Sequence, residues 1–486
     1  MSVKHFLSFG QRSRVALPTR AHSCSSAHLT WANDTQIGYS YAAHGELESV
    51  SIPGEGSITV NQFKWTAPTQ ITLPGGSTVT KLYDGVLQPE SVQVKTPGQQ
   101  TTLSLKHTWG KAFELQFAQL SQTAGGSTSS RDSTYTYDDE LRLTQAKTDT
   151  GGLFGTDTET FTLDGVANRT AHSKVSGSWT YDANNRLLTR GSAATYQYDD
   201  NGNLTQKSEG AKVTRYTYDT LNRLIEVTDA SSGAAKLIAR YGYDPMSRRI
   251  WKEQYRDKDS NALAQAKRTT YLYADEGLIA EATQAITLNS TDNSVTASTT
   301  DAPQITTQYG PKPDAPFTTG VLFVKTKNSN GQDLVAYYQH DHLQTPVQAT
   351  DKTGRVLWAA AYNAFGEATI ITPAATAENP TITSNLRLPG QYLDEETGLH
   401  YNWYRYYDSQ TGRCVTQDPI GTLVNGKVEV LRWGDKNVFG IVYVGQMARF
   451  RSGFNHVFIY GEGSPVRNFD DRGLISVGAE AYAPWG

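Results

Sequence analysis

The chain has 486 residues, a net charge of −4, 37% hydrophobic residues and a mean hydropathy of −0.51. With 44 Lys and Arg against 48 Asp and Glu, no charge excess points to nucleic acid or an anionic lipid surface, and no run approaches the roughly 18 apolar residues of a membrane-spanning helix. The 27 Tyr and 42 Gly beside only three Met favour strands joined by tight turns, so an all-β chain is expected.

The first stretch, 1–37, reads as a leader of unclear structure. Its opening "MSVKHFLSFGQRSRVALPTR" is mildly basic, and its apolar run is too short for a secretory signal core. Cys24 and Cys414 lie far apart, which argues against a disulfide framework and offers no paired-cysteine metal spacing.

Residues 38–283 carry a repeat. Its core is aromatic-x-aromatic-Asp, seen at Tyr135-Tyr137-Asp138, Trp179-Tyr181-Asp182, Tyr196-Tyr198-Asp199, Tyr216-Tyr218-Asp219 and Tyr241-Tyr243-Asp244. Phe161-Leu163-Asp164 is a softened copy, and Tyr271-Tyr273 has its acid displaced to Asp275; weaker copies lie at 38–60 and 73–89. Successive aspartates from Asp138 to Asp244 are 26, 18, 17, 20 and 25 residues apart. Four places after each Asp stands an Arg or Asn (Arg142, Asn168, Arg186, Asn203, Arg223, Arg248), usually followed by an apolar residue such as Leu143, Leu187, Leu204 or Leu224.

Aromatics at i and i+2 share one side of a strand, and the Asp carboxylate begins a turn by accepting backbone amides. Asn201-Gly202 favours a two-residue hairpin. One unit is about one hairpin, too small to bury its own face, so units must stack. The alternative for "DDNGN" is a calcium loop, but the twelfth place from Asp199 is Gly210 rather than the bidentate Glu such loops need, so no cation is expected.

Residues 284–330 are rich in Thr, Ser, Asn and Asp and read as a polar loop or irregular hairpin. A denser segment follows over 331–474. It holds "YYQHDHLQTPVQATDKTGRVLWAAAYNAFGE" (337–367) and "LRLPGQYLDEETGLHYNWYRYYDSQTGRCVTQDPIG" (386–421). On a strand His340 and His342 would share a face with Asp341 opposite, so no metal site is expected there. Walker, zincin, nucleophile-elbow and dinucleotide patterns are all missing, and no cofactor is expected.

The repeated units resemble the tyrosine-aspartate (YD) repeats of RHS proteins, the family that includes the C subunits of insecticidal toxin complexes. Segments 337–367 and 386–421 resemble the RHS repeat-associated core. The resemblance implies a β-sheet strip spiralling into a hollow shell, whole or partial and closed by that core, with Tyr137, Asp138, Tyr181, Asp182, Tyr198, Asp199, Tyr218, Asp219, Tyr243 and Asp244 as structural motif residues. It implies the scaffold of a polymorphic toxin or toxin complex, enclosing a C-terminal polypeptide and in some cases closing against a second shell-forming protein. It also implies self-cleavage by an aspartyl-protease-like site near two DPxG motifs. Here these are Asp418-Pro419-Ile420-Gly421 and a second at Asp470, with Asp471 where proline is expected; Arg413 would be a charge partner and Leu474–Ile475 the bond cut.

Two departures bear on that activity. Residues 422–454 do not resemble the family and read as an insert, which either loops out cheaply or carries Asp470 away from Asp418. The tail 475–486 has twelve residues, too few for a toxin domain, so a shell module without cargo, a truncated relative or a protein whose cargo segment has been lost is expected, its cleavage impaired or vestigial. Without a secretory signal, export would follow a specialised route. A non-catalytic repeat protein binding glycans or proteins through exposed tyrosines is the alternative.

Overall fold

Alternation carries the fold from its first strand. In Ser26–Thr30 and Gln36–Tyr41 the residues Ala27, Leu29, Ile37 and Tyr39 are buried while their neighbours face out. The computed structural model describes residues 26–31, 35–149, 156–289, 295–297, 302–313, 315–372, 374–418, 468–469 and 477–478. Among the described residues there is no helix. Thirteen strands over 26–172 form one antiparallel sheet in simple sequence order, and seventeen over 180–370 form a second, also in sequence order. Four short strands over 392–414 make a third.

The thirteen-stranded sheet already includes Ser26–Thr30, inside the stretch read as a leader. The polar stretch 284–330 contributes Val295–Ala297, Gln304–Gly310 and Phe323–Lys327 to the seventeen-stranded sheet, which runs on without a break into the segment from 331. Thr and Ser are good strand residues where one face is solvated, and composition alone does not separate that case from a loop.

The turns are one device used many times. With X the Asp or its substitute, the X amide donates to the carbonyl of X+4 and the X+3 amide donates back to the carbonyl of X. Sixteen such turns occur among the described residues, including those beginning at Asp138, Asp164, Asp182, Asp199, Asp219 and Asp244. In each the residue at X+3 is left-handed, whether Gly (Gly202, φ 81°) or not (Leu141, φ 61°; Ala167, φ 63°; Asn222, φ 59°). The strand register shifts beside the turn, as between Thr136 and Tyr137, which pair with Gln145 and Leu143. This is a three-residue loop with a bulge, not the two-residue hairpin expected from Asn201-Gly202. Gly202 supplies the left-handed bulge residue instead of a turn centre.

The small sheet is a plug around which the seventeen-stranded sheet curls. The Leu204 amide donates to the Val415 carbonyl (2.9 Å), the Tyr407 hydroxyl to the Phe365 carbonyl (2.8 Å), and the Thr318 hydroxyl to the Gln391 carbonyl (3.2 Å). One apolar core joins wall residues from Trp179 to Ala360 with plug residues from Ile382 to Val415. The thirteen-stranded sheet packs on the outside of the second through a separate core. Polar locks cross that interface: Trp31 Nε1 to the Tyr309 carbonyl (2.9 Å), and Gln122 Nε2 to the Val347 carbonyl (2.7 Å).

Candidate functional site

In each repeat the Asp is spent on its own turn. Asp219 Oδ1 accepts the amides of Leu221 and Arg223 (both 2.9 Å), and Oδ2 accepts Arg223 Nε (2.7 Å). The Arg then reaches onward, with Nη1 of Arg142, Arg186 and Arg223 donating to the carbonyls of Asp164, Asp199 and Asp244 in the next turn (2.9, 2.9 and 3.0 Å). Its guanidinium also covers the next tyrosine, Arg223 over Tyr243 and Arg248 over Tyr273 at 5.1 Å each. The second tyrosine of a unit reaches back. The hydroxyls of Tyr137, Tyr181, Tyr218 and Tyr243 donate to the carbonyls of Leu115, Arg169, Leu204 and Leu224 in the preceding unit (2.6–2.9 Å). Asp, Arg and Tyr thus form a zipper along one rim.

The zipper has a weak link where the two large sheets meet. The unit at Asp164 carries Asn168 in place of Arg, and beyond its own Asp164 Oδ2 (3.0 Å) Asn168 Nδ2 reaches onward no further than the side chain of Asn185 (Oδ1, 3.0 Å). Arg413, on the last plug strand Arg413–Cys414, stands in. It donates to Asn168 Oδ1 (3.0 Å) and to the Asn185 carbonyl (2.5 Å), and it covers Tyr181 at 5.1 Å as repeat arginines cover theirs. The plug therefore bridges the seam between the sheets.

Deeper inside, plug and wall meet through buried charge. Arg249, 1% exposed, occupies the place after the repeat Arg that Leu143, Leu187 and Leu224 fill in other units. Its Nη1 lies 2.5 Å from Asp394 Oδ2, and rings of Tyr241, Tyr271, Tyr392, Tyr401 and Tyr406 lie 4.3–5.9 Å from its guanidinium. Lys252 Nζ, from the same strand Arg249–Arg256, lies 2.9 Å from Asp394 Oδ1 and 3.1 Å from Glu396 Oε2. Burial alone would raise the Asp394 carboxyl, but Arg249 and Lys252 outweigh it and hold it below the usual range. Burial pushes Glu396 up, only partly opposed by Lys252. Glu281 is also pushed up by burial, although the hydroxyls of Tyr309 (2.6 Å) and Tyr392 (3.1 Å) donate to it.

Asp418 lies just past the plug's last strand, with its side chain 14% exposed. Its Oδ2 is 3.2 Å from Arg405 Nη2, an arginine 2% exposed on the strand Arg405–Asp408. Arg405 is thus an ion-pair partner of Asp418 that sequence reasoning did not name. Asp470, Leu474 and Ile475, with the insert 422–454, lie outside the described residues.

Comparison with known proteins adds to this geometry. The Teneurin YD-shell family model matches residues 116–276, and the RHS protein model matches residues 335–370. The zipper units from Asp138 to Asp275 fall in the first match and the turns at Asp341, Asp351 and Asn363 in the second. Over these two stretches the chain is similar to YD-shell and RHS sequence. Double-stranded DNA deaminase toxin A of Burkholderia cenocepacia is 31% identical to it over 262 residues, covering 53% of this chain and 17% of that protein. Toxin protein Tse5 of Pseudomonas aeruginosa is 30% identical over 252 residues, covering 46% and 17%. The solved Tc holotoxin pore of Photorhabdus luminescens superposes with a TM-score of 0.59 at 15% identity, covering 93% of this chain and 21% of that one; the likeness is one of fold. The chain thus spans about a fifth of these proteins, and what it shares with them is a shell of YD repeats.

The His-Asp-His run is placed differently from expectation. The strand Asp333–His340 ends before Asp341, so the two histidines do not share a strand face. Asp341 begins another repeat turn, its Oδ1 accepting the amides of Leu343 and Thr345 (both 2.9 Å), and His342 packs against His107 and Trp109. His340 simply takes the second aromatic place of the aromatic-x-aromatic-Asp unit. Among the described residues no cluster of three or more His, Cys, Asp or Glu is arranged to hold a metal ion.

Proposed function

We propose that this chain forms the closing part of a toxin shell, a curled wall sealed by its plug, which encloses a polypeptide and releases it by aspartyl-type self-cleavage after Leu474. The observation that carries the reading is the place of Asp418. It leaves the plug beside its last strand, largely shielded from solvent and paired with the buried Arg405. In the reaction Asp418 and Asp470 would share one proton, since two close carboxylates cannot both ionise cheaply. One carboxylate activates water while the other protonates the amide nitrogen of Ile475 as the Leu474–Ile475 bond breaks. Arg413, engaged with the seam, would hold the plug in register with the wall and act as a charge partner nearby.

The enclosed polypeptide and a second shell-forming protein are the partners of this reading, and export by a specialised route its localisation. The glycan-binding alternative relies on exposed tyrosines. The repeat tyrosines Tyr137, Tyr181, Tyr218 and Tyr243 instead spend their hydroxyls on backbone carbonyls, which favours the shell. The test is the intact mass of the purified full-length chain beside Asp418→Asn. Cleavage predicts a wild-type chain ending at Leu474 and a variant ending at Gly486. Two full-length masses would reject self-cleavage and leave the scaffold.

A further inference from the structure

The Lys252, Asp394 and Glu396 side chains do more than pair charges. All three are buried, at 7%, 0% and 0% side-chain exposure, and they join two elements 142 residues apart in sequence. An ammonium, a carboxylate and a second carboxyl group held in contact away from water are the reactants and the proton carrier for amide formation. The two oxygens of Asp394 are already assigned different partners. Oδ1 faces Lys252 Nζ at 2.9 Å, whereas Oδ2 is held by Arg249 Nη1 at 2.5 Å. Glu396 Oε2 lies 3.1 Å from the same Nζ, and its other oxygen accepts the Tyr241 hydroxyl (3.3 Å).

We propose that Lys252 and Asp394 condense into an isopeptide bond that fastens the plug to the wall, with Glu396 carrying the proton. Nζ gives one proton to Glu396 and adds to Cγ of Asp394, while the charge that grows on Oδ2 is met by Arg249. Glu396 passes its proton to Oδ1, takes a second from Nζ and passes that to Oδ1 as well, the Cγ–Oδ1 bond breaks, and Oδ1 leaves as water. Ammonium and carboxylate become amide and water, with no oxidant and no other reactant. The raised Glu396 carboxyl, caused first by burial, suits a group that must hold a proton in transit. The product also removes one buried cation and one buried anion, whose desolvation is costly, and leaves an amide oxygen that Arg249 still satisfies.

The test is high-accuracy mass measurement of the denatured full-length chain, then sequencing of its proteolytic peptides. The expected result is a mass one water molecule below that of the sequence and a branched peptide joining Lys252 to Asp394. Lys252→Arg should restore the full mass, and Glu396→Gln, which keeps the shape, should lower the linked fraction at least tenfold. A wild-type chain at full mass overturns the proposal, as does a water loss that maps to another residue, such as a succinimide. Because the wild-type chain alone decides, a variant that fails to fold does not blunt the test. Cleavage after Leu474 removes a whole peptide and is distinguished by its far larger mass change.

Discussion

Replacing Arg249 by Met removes one cation from the centre of the plug interface and keeps most of its length. In the unlinked chain, obtained in a Lys252→Arg background if the amide forms, Asp394 loses its 2.5 Å partner and retains only the cation at position 252, so its charge stays buried with half its compensation. Breaking a buried pair from one side costs about 3–5 kcal/mol because the surviving charge stays in low dielectric. The five surrounding rings add a cation–π contribution of about 1–2 kcal/mol that Met only partly replaces through its sulfur. The cation at position 252 offsets part of the loss, so the expected destabilisation is about 3–4 kcal/mol, or two to three powers of ten in the docked population. Urea denaturation followed by tryptophan fluorescence measures it, since Trp403 in the plug donates to the Met246 carbonyl of the wall (3.3 Å) and reports undocking. Arg249→Lys should fall between, keeping charge without the planar fork. A loss below about 1 kcal/mol for Arg249→Met would refute the view that this cluster holds plug to wall.

Three further outcomes follow from the repeat and the buried acids. Leu141→Gly relieves a left-handed leucine (φ 61°) at a repeat turn and should stabilise by about 0.5–1 kcal/mol, seen as a higher melting temperature; an unchanged or lower one counts against strain there. Tyr218→Phe deletes the hydroxyl that donates to the Leu204 carbonyl (2.9 Å) and should cost about 1 kcal/mol in the same assay, whereas Tyr→Phe at a site without such a bond should not. Glu281 is raised by burial, so its contribution is fully present below the ordinary glutamate value of about 4.3 and is lost as pH rises through the higher folded value. Glu281→Gln should therefore match wild type near the acid end and gain on it toward alkaline pH; parallel profiles would show that burial does not govern this carboxyl.

Much of the wall was legible because its signals are local. Two aromatics at strand spacing, an Asp that caps its own turn and an Arg four places on are all visible within one unit. Where one member changed, the unit was hidden: His340 in place of tyrosine made the turn at Asp341 look like a strand with ligands. The bulge at X+3 was obscured because residues as different as Leu141, Ala167 and Asn222 adopt it, so composition does not mark it. Arg249 did leave a trace, an arginine in the slot filled by Leu143, Leu187, Leu204 and Leu224 elsewhere. Nothing in sequence could pair it with Asp394, because that contact exists only once the sheet has curled round the plug. Arg413 was noticed for its closeness to Asp418 in sequence, while its contacts with Asn168 and Asn185 depend on the seam.

The zipper turns from Asp138 to Asp244 fall on the same side of the wall, since a sheet in sequence order sends alternate turns to opposite rims, while the like turns at Asp257 and Asp351 close the far rim. The uneven repeat spacing, from 17 to 26 residues, is therefore absorbed by strand length and by the turns at the far rim. One rim is kept level by its zipper and the other is left to vary. Such a wall can be made taller or shorter, column by column, without disturbing the line on which every column stands.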